Sequence, residues 1–208
     1  MLSYIDPIIF PDECEILEVT SGQQYVYPIF KNGSSALYGS GYRLLDKHEL
    51  AALGTVDVFV RAPMERFVSG VQMYLSRLPD TYHRETVLHF VDRYLFLNRH
   101  YAPQFHWLLN LSRHTTAKIR LRSVTELDQL TRNVTPYTLN NPPRDTSLTE
   151  FFDDNMRLHF YLQLDSALMD LVGQTVSFKD IVEHIRTRYP DAYKEIIERS
   201  IALCNALA

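Results

Sequence analysis

Two kinds of apolar pattern alternate along the chain. Short, mostly apolar, β-branched and aromatic runs occur at residues 25–30, 56–60 and 118–121, and these predict buried strands. Longer stretches carry apolar residues at helical spacing. Met64, Val68, Val71, Leu75 and Leu78 form one stripe, with Pro63 at the first helical position. Val87, Leu88, Val91, Tyr94 and Leu95 form another within residues 84–98. Residues 35–50 begin as helix, weakened by Gly39 and Gly41, and residues 105–112 fit neither period. A short helix is predicted at 124–130 and a longer one at 148–171. Residues 133–147, with Pro136, Pro142 and Pro143, form the longest irregular stretch.

Ser177 and Asp180 have the spacing of a capping box, and Pro190 divides two C-terminal helices at 178–188 and 191–206. Residues 1–23 read as a lead-in interrupted by Pro7 and Pro11 and packed on the surface. Strands alternating with helices predict an α/β protein, with a parallel sheet flanked by helices on both faces. A length of 208 residues fits one domain: a lead-in (1–23), a core (24–172) and a helical C-terminal part (173–208).

Composition narrows the function classes. A formal net charge of −4 argues against a general nucleic-acid binder, although a locally basic cleft is compatible with it. Cys14 and Cys204 are the two cysteines, which excludes a disulfide scaffold and a cysteine-rich zinc site. No metal-ligand cluster is evident. The N-terminus has no basic n-region, and no run of about 18 apolar residues occurs, so no membrane span and a cytoplasmic location are expected.

The chemistry is concentrated where the first strand ends, in Lys31-Asn32-Gly33-Ser34-Ser35. Strand, small-residue turn and helix start together point several N–H groups at one spot, where the helix dipole favours an anion. Serine is a good N-cap, so a helix is expected to begin at the hydroxyls. This is not a Walker A loop: the lysine precedes the glycine, which disfavours an ATP or GTP hydrolase and a small-molecule kinase. The same residues also fit a polar turn with an incidental lysine. A second segment has similar character. Arg61 ends the run 56–60, and Ser69 lies off the apolar stripe of the next helix. A guanidinium fork and a hydroxyl can grip a phosphate, and they also suit an ordinary helix surface.

Together these segments resemble the sulfotransferases that use 3′-phosphoadenosine 5′-phosphosulfate, in particular the carbohydrate sulfotransferase (family 2-like) branch. Its 5′-phosphosulfate loop, P-K-x-G-S-S, resembles Pro28 through Ser35, with the proline displaced upstream. Its 3′-phosphate segment, V-R-x-P-x-x-R-x-x-S, is matched by Val60, Arg61, Pro63, Arg66 and Ser69. Its H-W-x-P-Q piece is similar to His100-Tyr101-Ala102-Pro103-Gln104. The likeness continues loosely to about residue 172, through Asn133-Val134-Thr135 and an aromatic-rich helix with Tyr161 and Asp165.

The resemblance implies a P-loop nucleotide-hydrolase-like sulfotransferase fold. It also implies transfer of a sulfuryl group from that donor to a hydroxyl of a carbohydrate or related acceptor, with adenosine 3′,5′-bisphosphate as product and no metal. Lys31 would stabilise charge on the bridging oxygen. Asn32, Gly33, Ser34 and Ser35 would hold the 5′-phosphosulfate, and Arg61 and Ser69 the 3′-phosphate. His100, within the third motif, is the first candidate for the base. His48 is the second, because related enzymes acting on uronic acids carry a histidine between the two phosphate motifs. Glu65 and Asp92 remain as carboxylate candidates, and His89 reads as an ordinary helix residue. The alternative is a non-catalytic nucleotide-binding or interaction protein that retains the fold.

Overall fold

A computed structural model describes residues 14–79, 83–93, 98–131, 146–152 and 154–198. The predicted strands are present as β2 (Gln24–Tyr27), β4 (Thr55–Val60) and β5 (Lys118–Ser123). Three further strands join them: β1 (Leu17–Thr20), β3 (Arg43–Leu44) and β6 (Thr175–Val176). The sheet runs β3-β1-β2-β4-β5-β6. Only β2–β4 and β4–β5 pair in parallel; β1 with β2, β1 with β3 and β5 with β6 are antiparallel. The sheet is therefore mixed, not parallel as the alternation suggests.

The lead-in is also corrected from residue 14 onward. Ile16 and Leu17 are buried, and β1 turns into β2 through Gly22, at φ 66°, with Gln23 N–H bonded to the Thr20 carbonyl at 2.9 Å. Ser-Gly is a turn signal, and the apolar alternation of Leu17 and Val19 before it is the mark of a hairpin strand.

Helices α1 (Ser34–Gly39) and α2 (Lys47–Leu50) flank β3, where the sequence suggests one helix. Helix α3 (Pro63–Ser76) follows its predicted stripe, and α4 (Arg84–Arg93) follows the second through Val87, Leu88 and Val91; Tyr94 and Leu95 lie outside the described residues. Helix α5 (Gln104–His114) lacks a clear period because every residue from Gln104 to Leu111 is buried; a helix enclosed on all sides has no polar face to mark its turn. Residues 124–129 form a 3₁₀ turn. The predicted 148–171 helix is two, α6 (Thr146–Phe151) and α7 (Met156–Asp170), the second capped by the Asn155 side chain on Leu158 N–H. Helix α8 (Phe178–Arg188) starts with the expected Ser177–Asp180 capping box, and α9 (Pro190–Ala192) continues into a π-helical turn. Residues 133–145 and the end of the last predicted helix lie outside the described residues.

Packing divides the sheet unequally. Val56, Val58, Val60, Ile119 and Leu121 meet α5, α7 and α8 in the main core. A second core joins α3, α4 and α7 through Phe67, Val71, Tyr74, Val87, Val91, Tyr101 and Tyr161. The opposite sheet face has a small apolar cap, Leu17, Val26 and Phe59 under Leu37 and Leu127, with polar side chains beside it. The expected helical cover on both faces is thus full on one face and partial on the other. Among the described residues no helix is long and apolar enough to cross a membrane.

Candidate functional site

Two loops leave the C-terminal ends of the adjacent parallel strands β2 and β4 side by side, the usual place for a ligand in an open α/β sheet. The first holds Lys31. Asn32 N–H bonds the Ile29 carbonyl at 3.1 Å, and this tight turn puts Lys31 at φ 70° and Gly33 at φ 81°. A lysine in the left-handed region is strained and is held there by its surroundings. Gly33 has a second reason to be glycine: a Cβ there would collide with the Leu127 side chain of the 3₁₀ turn.

Helix α1 begins at Ser34, with Gly33 at the capping position, so the serines lie inside the first turn and do not cap it. Asn32 N–H is consumed by the turn. The N–H groups of Gly33, Ser34 and Ser35 carry no hydrogen bond among the described residues.

The Asn32 side chain is buried. Its amide donates to the Phe59 carbonyl at 2.7 Å and to Gln104 Oε1 at 2.6 Å. Arg61, half-buried, begins the second loop. Its Nη1 donates to the Lys31 carbonyl at 3.3 Å, and its Nε lies 3.5 Å from exposed Glu65. Ser69 is half-buried two turns into α3, and no hydrogen bond joins it to Arg61 or to the Lys31 loop.

Arg66 is fully buried. Its guanidinium donates to the Phe30 carbonyl (3.2 Å), the Ala102 carbonyl and Tyr161 Oη (3.0 Å), tying the loop, the 98–103 turn and α7 together. Four of the five segments that carry the family resemblance therefore meet in one place, 28–35, 60–69, 100–104 and the Tyr161–Asp165 region; the fifth, Asn133-Val134-Thr135, lies outside the described residues.

Electrostatically the Lys31 loop is a region of excess positive charge. Burial, reinforced by Arg77, Arg61 and Arg66, lowers the Lys31 ammonium to about 8. Among the described residues no carboxylate pairs with Lys31. Asp165 is fully buried on α7 and accepts from Gln104 N–H at 2.7 Å, at the start of α5. Burial raises its carboxyl to about 6, while Arg66 and the Gln104 donors pull the other way.

His100 is buried, with its ring 5.3 Å from that of Phe30, next to Lys31 in the chain. Its Nε2 is 2.9 Å from Arg77 Nη1, so Arg77 must move before that nitrogen can take a substrate proton. His48 is exposed on α2, beyond the β1 and β3 edge of the sheet, and no hydrogen bond links it to the Lys31 loop. Asp92 bonds Asn155 at the start of α7, and exposed His89 contacts the Phe151 ring.

Arg77 and the structural roles of Arg66, Gln104 and Asp165 are additions to the sequence reading. Arg66 and Gln104 could have been noticed as polar residues inside motif segments; Arg77, at the end of α3, carries no sequence signal. Among the described residues no three His, Cys, Asp or Glu side chains cluster as metal ligands. No family model, curated protein or solved structure matches this chain, so the geometry and the motif resemblance carry the functional reading.

Proposed function

We propose that the chain is a sulfotransferase with a P-loop-like donor site. It would take 3′-phosphoadenosine 5′-phosphosulfate at the Lys31–Ser35 loop and pass its sulfuryl group to a hydroxyl of a carbohydrate or related acceptor. The observation that carries the proposal is a half-buried Lys31 with no carboxylate partner among the described residues, bonded through its carbonyl to Arg61 and followed by three unused N–H groups. Such a site lowers its own electrostatic cost by admitting an anion.

The chemistry fits these groups. The acceptor oxygen forms a bond to sulfur as the bond from sulfur to the 5′-phosphate oxygen breaks. The electron pair goes to that bridging oxygen, where the Lys31 ammonium stabilises it. The acceptor proton leaves to a base, with His100 the first candidate once Arg77 swings aside. Arg61 would hold the 3′-phosphate, with Ser69 reaching it from α3.

The test is thermal shift with adenosine 3′,5′-bisphosphate against ATP, followed by labelled-sulfate transfer to a panel of sugars and alcohols. A hundredfold excess over the dissociation constant should stabilise by ~3 kcal/mol. Equal responses to the two nucleotides overturn the donor assignment. A second reading, a nucleotide binder without turnover, is favoured by the Arg77 contact that occupies His100 Nε2. Stabilisation by the bisphosphate with no transfer to any acceptor would select it.

A further inference from the structure

We infer that Gln104 is a positioning residue that sets the spacing between the Lys31 turn and Arg61, with Asn32 as its link to the turn and not a ligand of the nucleotide. The inference rests on the donor site proposed above.

The geometry is that of a side chain imitating a strand. Gln104 Oε1 accepts from Arg61 N–H at 2.9 Å, and its Nε2 donates to the Arg61 carbonyl at 3.0 Å. One primary amide thus satisfies both backbone groups of the residue just past the end of β4, as a neighbouring strand would. The same Oε1 accepts from Asn32 Nδ2, whose other bond goes to the Phe59 carbonyl. Lys31, Asn32, Phe59 and Arg61 are therefore tied through two buried amides.

The far end is anchored as well. Gln104 N–H bonds Asp165, which fixes the first residue of α5 against α7. Gln104 is 0% exposed, so it cannot touch a ligand and acts only through its neighbours. A strained left-handed lysine is the kind of feature that needs such support. When the support is lost, the turn relaxes and Lys31 moves toward water and away from Arg61. A preorganised anion site then becomes one that must be ordered on binding.

The test compares the wild-type chain with Gln104→Met, an uncharged side chain of similar length. Lys31 titration is followed by NMR of ¹³C-methylated lysines, and adenosine 3′,5′-bisphosphate affinity by calorimetry, both well below the melting temperature. Lys31 should titrate near 8 in the wild type and shift upward toward the ordinary lysine value in the folded variant. Affinity should fall ~10-fold. A role confined to stability would lower the melting temperature and leave the Lys31 titration unchanged; that outcome overturns the inference. Should Gln104→Met not fold, Asn32→Ala cuts the link at its other end and carries the same expectation. If wild-type protein binds no bisphosphate, the sulfotransferase reading fails, while the Lys31 titration still decides this inference.

Discussion

The two polar regions of this sheet handle positive charge in opposite ways. On the partly covered face, Asp57 is buried and pairs with Arg120 at 2.5 Å and Arg122 at 3.4 Å, and it accepts from Gln24 at 2.9 Å. Arg122 also pairs with Glu126 at 2.8 Å and lies over the Phe59 ring. Two guanidiniums there meet two carboxylates, and the arrangement is complete in itself. At the C-terminal edge of the same strands, Lys31 and Arg77 have no carboxylate partner among the described residues, and the one beside Arg61 is exposed. A closed charge cluster supports a fold. An open one is a standing cost, and a bound anion removes it. Arginine-rich segments alone would not have separated the two.

The comparison can be attacked most strongly at Arg66, the buried cation that ties the Lys31 loop to the turn at 98–103 and to α7. Arg66→Met should lower stability by about 3–5 kcal/mol, because it strands the Phe30 and Ala102 carbonyls and the Tyr161 hydroxyl. Urea denaturation measures this; a loss under about 1 kcal/mol would show those bonds to be dispensable. Asp57→Asn comes next, at about 2 kcal/mol, since it leaves Arg120 and Arg122 facing each other across an uncharged amide. That loss should shrink in high salt, because Arg120 is partly solvated. A stabilised Asp57→Asn would mean that the closed cluster is not a structural asset.

Lys31→Gly should have the opposite sign. It relieves the positive φ and removes the uncompensated charge, raising unliganded stability by about 1 kcal/mol while abolishing the response to bisphosphate. A destabilised variant would mean that Lys31 is held in place by contacts and is not available to a ligand.

The smallest effect is a pH dependence. A bound phosphate favours the ammonium form of Lys31, so binding should take up a proton near and above pH 8. Affinity should then fall as pH rises through about 8, by up to about tenfold per unit. Calorimetry in buffers of differing ionisation enthalpy detects the proton. Its absence would place the bound anion away from Lys31.

Asp165 works in the same direction on stability. Its folded value is above the ordinary carboxyl value, so the native state binds the extra proton between about 4 and about 6. Its contribution to stability therefore declines as pH rises through that window. Asp165→Asn should flatten the decline.

How much of this was legible in the sequence depended on whether a residue's neighbours are local. β2, β4, β5, α3 and the Ser177 cap follow from period and punctuation within a few residues. β1 carried a local signal, the Leu17 and Val19 alternation before Ser21-Gly22, that was passed over, whereas the two-residue β3 is specified by its antiparallel partner more than by its own composition. The motif segments pointed to the Lys31 loop and to Arg61, but not to what holds them. Asn32 was expected to offer its backbone N–H to the donor, and the turn directs that N–H to the Ile29 carbonyl. Its side chain faces a glutamine 72 residues away, and only the fold brings that partner near. Arg77 belongs to the site through the length of α3, which no local pattern reports.

Gly70 gives the site a mechanical property. A Cβ at this position would land on the carbonyl oxygen of His100, so α3 and the turn carrying His100 lie backbone against backbone. One helical turn earlier, Arg66 grips Ala102 of that same turn. Clamped at two points along one helix, the turn cannot pivot independently of α3; they move as a single lever. Any adjustment that frees His100 from Arg77 must then come from rotation of the Arg77 side chain at the lever's end. The cheapest motion in the site would be a rotamer change, and Gly70→Ala would force the two parts of the lever apart.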